Sequence, residues 1–219
     1  MKQTYLILIK DLQQEFKTRY AINAILLFAI VTLSAVSFAI GTFTAGEQVL
    51  SALFWVILFF SSMSGLSHIF IREEETQTAD TLKLVAKPVH IFLGKFIFNL
   101  LLLMALEVVL VPLFIALMNF QLQSSAIFFL TLLIGNFGLA GGGTMVAAII
   151  SKASAKGALF TVLSFPILLP VLISGISATK KAAAESALSS AQNELQALFA
   201  YSVIIITASI LLFDYVWNE

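Results

Sequence analysis

Six long apolar stretches run through the sequence: Ala21–Ile40, Val49–Ile71, Phe96–Leu117, Ala126–Ile150, Ala158–Ile176 and Leu198–Trp217. A helix rises about 1.5 Å per residue and the hydrocarbon core of a bilayer is about 30 Å thick, so roughly 20 apolar residues cross it. Each stretch is longer than a soluble core strand, and none alternates as a barrel strand does. Backbone groups in lipid have to pair within their own segment, so each stretch reads as a membrane helix. The expected fold is an all-α membrane protein, a single membrane domain over residues 1–219 with six transmembrane helices. No small-residue cleavage site follows the first stretch, so it is expected to remain in the mature protein.

Composition excludes several alternatives. Hydrophobic residues make up 60% of the chain and charged residues 11%, whereas soluble domains run near about 45–50% and about 25%. Twelve Lys and Arg balance twelve Asp and Glu, which leaves no basic surplus for a nucleic-acid partner. The chain has no cysteine, which removes disulfides, thiolate metal sites and a Cys nucleophile.

Lys and Arg divide unevenly between the two sides of the membrane. Lys2, Lys10, Lys17, Arg19, Arg72, Lys83, Lys87, Lys95, Lys152 and Lys156 fall on one side, and only Lys180 and Lys181 on the other. The positive-inside rule then predicts that both termini are cytoplasmic. Tyr20, Trp55, Tyr201, Tyr215 and Trp217 lie mostly near span ends, as interfacial rings do, although Trp55 is several residues inside its span.

Three segments between the spans carry information. In residues 4–20, Tyr5, Leu8, Ile9, Leu12, Phe16 and Tyr20 form an apolar stripe, while Lys10, Asp11, Gln13, Gln14, Glu15 and Lys17 cover the other face. The pattern predicts a helix lying in the membrane interface. Residues 72–90 are the longest polar segment on the cytoplasmic side. Glu73, Glu74 and Glu75 suit the positive end of a helix dipole. Leu82 and Leu84 supply apolar positions, and Pro88 is expected to stop the helix. A docking helix and a solvated charge run both fit this segment. Residues 177–197 are rich in Ala, Glu, Lys and Gln, which predicts a short external helix parallel to the membrane that acts as a spacer.

Within the spans, Glu107 stands out because an ionised carboxylate is costly in hydrocarbon. It is expected to face the bundle interior, with Asn99 on the same side of the helix. Its role is either a pathway or relay residue or a protonated interhelical bond. Gly138 and Gly142 form a GxxxG pair for close helix packing. Pro112, Pro166 and Pro170 are expected to kink their helices. His68 and His90 are the only histidines and read as interfacial residues. No metal motif, nucleotide loop or catalytic set is visible, so a non-catalytic role is expected, with energy supplied by a partner or an ion gradient.

The order of these parts resembles the membrane subunit of an ABC-type exporter of the ABC-2 class. That class has a stretch after span two like E-x-G-T-x-D/E-x-L, then Pro-Val or Pro-Leu, then Gly-Lys ahead of span three. The corresponding residues are Glu75, Thr78, Asp80, Leu82, Leu84, Pro88, Val89, Gly94 and Lys95, with Gln77 where glycine is usual. Within the class the chain is similar to the CcmB family, the haem exporter B subunit of cytochrome c maturation. The length, the run FWVILFFSSMSGLSHIFIREEE and the run KASAKGALFTVLSFPILLPVLISGISA carry that likeness.

The resemblance implies an ABC-2-type permease bundle with an N-terminal interfacial helix and a cytoplasmic coupling helix. That helix, with Glu73, Glu74, Glu75, Thr78, Asp80, Leu82 and Leu84, would dock on a separate ATPase (CcmA-like) that binds ATP. A haem-handling membrane subunit (CcmC-like) and a periplasmic haem chaperone (CcmE-like) would be the other partners. Haem would be the substrate, none of it held covalently, and the location the bacterial inner membrane. An ABC-2 permease for a lipid, glycan or drug is the alternative, and an ion-driven carrier using Glu107 is a further one.

Overall fold

A computed structural model describes residues 2–41, 45–151, 156–185 and 187–218. Lys152 and Ser186, used above for the charge split and the external segment, lie outside the described residues. The chain forms nine α-helices among the described residues: α1 Lys2–Thr18, α2 Tyr20–Ile40, α3 Glu47–Leu66, α4 His68–Glu75, α5 Ala79–Val85, α6 Pro88–Met118, α7 Ser125–Ile150, α8 Lys156–Ala184 and α9 Gln192–Asn218. A 3-10 turn at Leu188–Ala191 precedes α9. Six helical stretches are long and apolar enough to cross a membrane, as expected.

Local chemistry sets the boundaries. Arg19 adopts left-handed backbone, with φ at 51°, and this single residue separates α1 from α2. Ser124 caps α7, its hydroxyl accepting from the Ile127 N–H at 3.4 Å. Pro88 does not end a helix as expected; it opens α6 at the first turn, where its missing N–H costs nothing. The segment 72–90 is correspondingly not one helix but the end of α4, a turn at Thr76–Thr78, and α5. The external segment also differs. No separate surface helix forms among its described residues, because α8 continues to Ala184 and α9 already begins at Gln192. Lys181 ties the two helices together through Glu194 at 2.8 Å and the Ser190 carbonyl at 2.6 Å.

The centre of the bundle is α7, packed chiefly against α8 and α9. Its glycines make that approach possible. A Cβ on Gly138 would stand 2.8 Å from Ser202 Oγ, and one on Gly142 2.7 Å from Leu168 Cδ2. Trp55 is fully buried in the interior. Its ring lies against Gly135 of α7 and Gly175 of α8, and its Nε1 donates to Thr179 Oγ1 at 2.8 Å. The indole is therefore a core group with a satisfied donor and not an interfacial ring, which explains its depth in the span. Trp217 is buried as well, against Phe70 and Phe213. Tyr20 and Tyr215 are exposed near helix ends, in keeping with interfacial rings. The half-buried Tyr201 donates to the Ile167 carbonyl at 2.5 Å, beside the prolines of α8. Pro112, Pro166 and Pro170 all lie inside continuous helices.

Candidate functional site

The end of the bundle expected to face the cytoplasm is assembled from α1, α4, α5 and the start of α6. The interfacial helix α1 presents three faces. Thr4, Ile7 and Asp11, spaced by three and four, turn towards the protein. Tyr5, Leu6 and Phe16 are exposed apolar groups suited to lipid. Lys2 and Lys17 remain exposed to water. Asp11 thus leaves the polar outer face on which the sequence pattern put it.

Asp11 joins a buried ion cluster. Lys95 of α6 is fully buried, and its Nζ lies 2.5 Å from Glu73 Oε1 and 3.2 Å from Asp11 Oδ2. It also donates to the Ile69 carbonyl at 3.1 Å and sits 5.5 Å from the centre of the Phe70 ring. Lys10 pairs with both Glu73 and Asp11. The second oxygen of Glu73 accepts from the Thr78 hydroxyl at 2.5 Å. Two cations thus face two carboxylates, so the set is neutral. Neutrality and mutual pairing are what allow these charges to leave water. Burial alone would lower the pKa of Lys10; Asp11 and Glu73 beside it outweigh that and raise it.

Glu73 differs from its neighbours: its carboxylate is buried and points into the cluster, where it ties the end of α4 to α1 and α6. Among the other residues expected to dock, Leu82 turns inward beside Ala79 and Ala86, whereas Asp80 and Leu84 turn outward together with Val85. Leu84 is 87% exposed, the most open apolar side chain on the segment. Glu75 and Thr78 are also at the surface, and Glu74 is half-buried. The inner side of α5 is fastened by Lys83, whose Nζ stands 5.6 Å from the centre of the Trp217 ring. Gln77, at the usual glycine position, has φ of 56°. The turn therefore needs left-handed backbone there, which is why glycine suits it.

Deeper in the membrane, α6 and α7 exchange two polar contacts. Asn99 Nδ2 donates to Thr144 Oγ1 at 2.9 Å, and Asn136 Nδ2 donates to Glu107 Oε2 at 2.8 Å. Eight residues forward along α6 match eight residues back along α7, so both contacts belong to one antiparallel register. Glu107 is thus paired across helices, whereas Asn99 and Glu107 do not bond each other. His68 stands edge-on to Tyr20 with ring centres 4.6 Å apart, and His90 Nδ1 is 3.1 Å from Thr4 Oγ1. A cavity of about 650 Å³ opens beside the ion cluster, lined by Gln14, Tyr20, Ser64, His68, Arg72 and Phe98. No cluster of three His, Cys, Asp or Glu suited to a metal occurs among the described residues.

Sequence reasoning did not find Lys10, Asp11 and Lys95 as a unit, nor Thr144 and Asn136 as partners. One signal was available. Lys95 interrupts an apolar run two turns into α6, and a lysine in such a place has to find a carboxylate.

No curated protein matches the chain. The family described as CcmB protein matches over residues 2–211, which takes in α1, residues 72–90, five spans and most of the sixth. Membership in this family implies the permease component of a haem exporter in cytochrome c maturation. It makes the chain a multi-pass membrane protein of an ABC system, with haem a fitting substrate and an ATPase as the implied partner. The match extends over nearly the whole chain and agrees with the six-span fold, so the chain belongs to the CcmB family.

Proposed function

We propose that the chain is the membrane permease subunit that couples ATP hydrolysis by a separate CcmA-like ATPase to haem export, or to release of a haem-loaded chaperone. The observation that carries this reading is the two-sided character of α5. One side is held down by Leu82 and by Lys83 on Trp217, and the other offers Asp80, Leu84 and Val85 to a partner. Exposed apolar groups rimmed by charge are a usual mark of a protein contact. The ten basic residues on the same side as this helix support a cytoplasmic position for it and for both termini. The described residues offer no catalytic set, and ATP hydrolysis is assigned to the partner. A CcmC-like subunit and a periplasmic CcmE-like chaperone complete the assembly, in the inner membrane.

The test is co-purification. Glu74→Lys, Glu75→Lys and Asp80→Lys together reverse the charge of the segment without touching the ion cluster. The expected result is a loss of most of the co-purifying ATPase, with membrane insertion of the variant unchanged. An undiminished ATPase band would count against α5 as the docking element. A pull-down of the wild-type protein identifies the other subunits, and glycan- or lipid-handling partners would point to a different ABC-2 cargo.

A further inference from the structure

Force from an ATPase reaches this subunit at α5, and how it spreads depends on what α5 is fastened to. The direct neighbour in sequence is span two, which α3 and α4 form together through Ser67, whose backbone is itself helical (φ −61°, ψ −31°). Two back-bonded serines lie in the turns just before Ser67. Ser62 Oγ donates to the Phe59 carbonyl and Ser64 Oγ to the Ser61 carbonyl, each at 2.7 Å. Serines bonded back to their own helix bend it.

The side-chain links run elsewhere. Lys95 joins Glu73 of α4 to α6 and to Asp11 of α1 in one buried cluster. Other groups tie α1 to α5 and to α6. Gln3 Nε2 donates to the Val85 carbonyl at 3.0 Å, and Thr4 meets His90. Gly94 lets Ile7 come so near that a Cβ on it would stand 3.0 Å from Ile7 Cβ. Breaking a buried ion set by removing one member strands the others in low dielectric, so the set opens reluctantly.

We infer that Lys95 is a positioning residue for energy coupling: through Glu73 and Asp11 it binds α1, the base of the coupling segment and the cytoplasmic end of α6 into one body that moves together when the ATPase pushes on α5. The inference rests on the functional reading above and specifies which spans receive the stroke. Span three and the interfacial helix receive it through charge, and span two along the backbone through Ser67.

The experiment uses the complete membrane complex with three readouts: ATPase co-purification, ATP hydrolysis and the yield of holocytochrome c. In Lys95→Met the ATPase should remain bound and hydrolyse ATP, while the holocytochrome yield falls by about tenfold, a size typical of residues on a coupling route. Lys95→Glu combined with Glu73→Lys restores opposite charges and should recover part of that yield, which a loss of packing volume alone would not allow. A wild-type yield in Lys95→Met overturns the inference. A second variant serves if Lys95→Met fails to insert. The chain has no native cysteine, so Ile7→Cys with Gly94→Cys places the only two thiols across α1 and α6. Equal yields from the oxidised and reduced forms are expected, because the two helices move as one body. An oxidised form that loses activity while the reduced form keeps it overturns the inference. Absence of an ATPase from the wild-type complex is a separate failure, which removes the functional reading and this inference with it.

Discussion

At Gln77 the chain turns between α4 and α5 with φ of 56°, a backbone that costs a side chain with a Cβ about 1–2 kcal/mol relative to glycine. Gln77→Gly relieves that strain but adds freedom to the unfolded chain, so the net gain should be up to about 1 kcal/mol. Thermal unfolding of the purified protein in detergent checks it, and a lower unfolding temperature would show that the Gln side chain holds the turn. Glu73 teaches a different lesson at the same scale. Three adjacent glutamates look alike in sequence, and the dipole argument applies to each equally. Burial separates them, because only Glu73 is directed at Lys95, and that direction depends on where α1 and α6 lie. Pairing partners more than sixty residues apart in sequence leave no local trace.

Among the elements, the spans were legible because lipid demands a length and a composition that few soluble segments have. The ends of the helices were less so. Ala, Glu and Lys favour helix wherever they stand, so residues 177–197 could equally extend α8 or form a helix of their own. Tertiary contact decides, with the Ala182 carbonyl accepting from the N–H groups of Gln123 and Ser124. The α6–α7 pair carries a prediction of its own. Glu107→Gln keeps an oxygen for the Asn136 amide and should change stability by less than about 0.5 kcal/mol. Glu107→Leu strands that amide and should cost about 1–3 kcal/mol. Resistance to denaturant in detergent separates the two. The yield of holocytochrome c should survive Glu107→Gln; its abolition in a folded protein would instead give Glu107 a proton to carry.

For the whole molecule, the uneven division of Lys and Arg predicts a topology that a cysteine-free chain makes easy to test. A single cysteine at Leu188, which is half exposed and which that division of charge assigns to the outside, should react with an impermeant maleimide in intact cells. Cysteines at Lys2 and Asn218 should react only after lysis, and labelling of either from outside would reverse the orientation. The overall plan was readable at this scale because hydropathy and charge are summed over many residues. The ion cluster was not, since it needs α1, α4 and α6 brought to one point. The two polar rungs between α6 and α7 also bear on the order of events during synthesis. Glu107 leaves the ribosome 29 residues ahead of Asn136, and Asn99 leaves 45 ahead of Thr144. At the pace of translation both wait on the order of seconds for a partner. During that interval span three has to stay in the bilayer with its polar groups unmatched. It is also the most apolar of the six, so the surplus of leucine around Glu107 serves the newborn chain before the bundle exists.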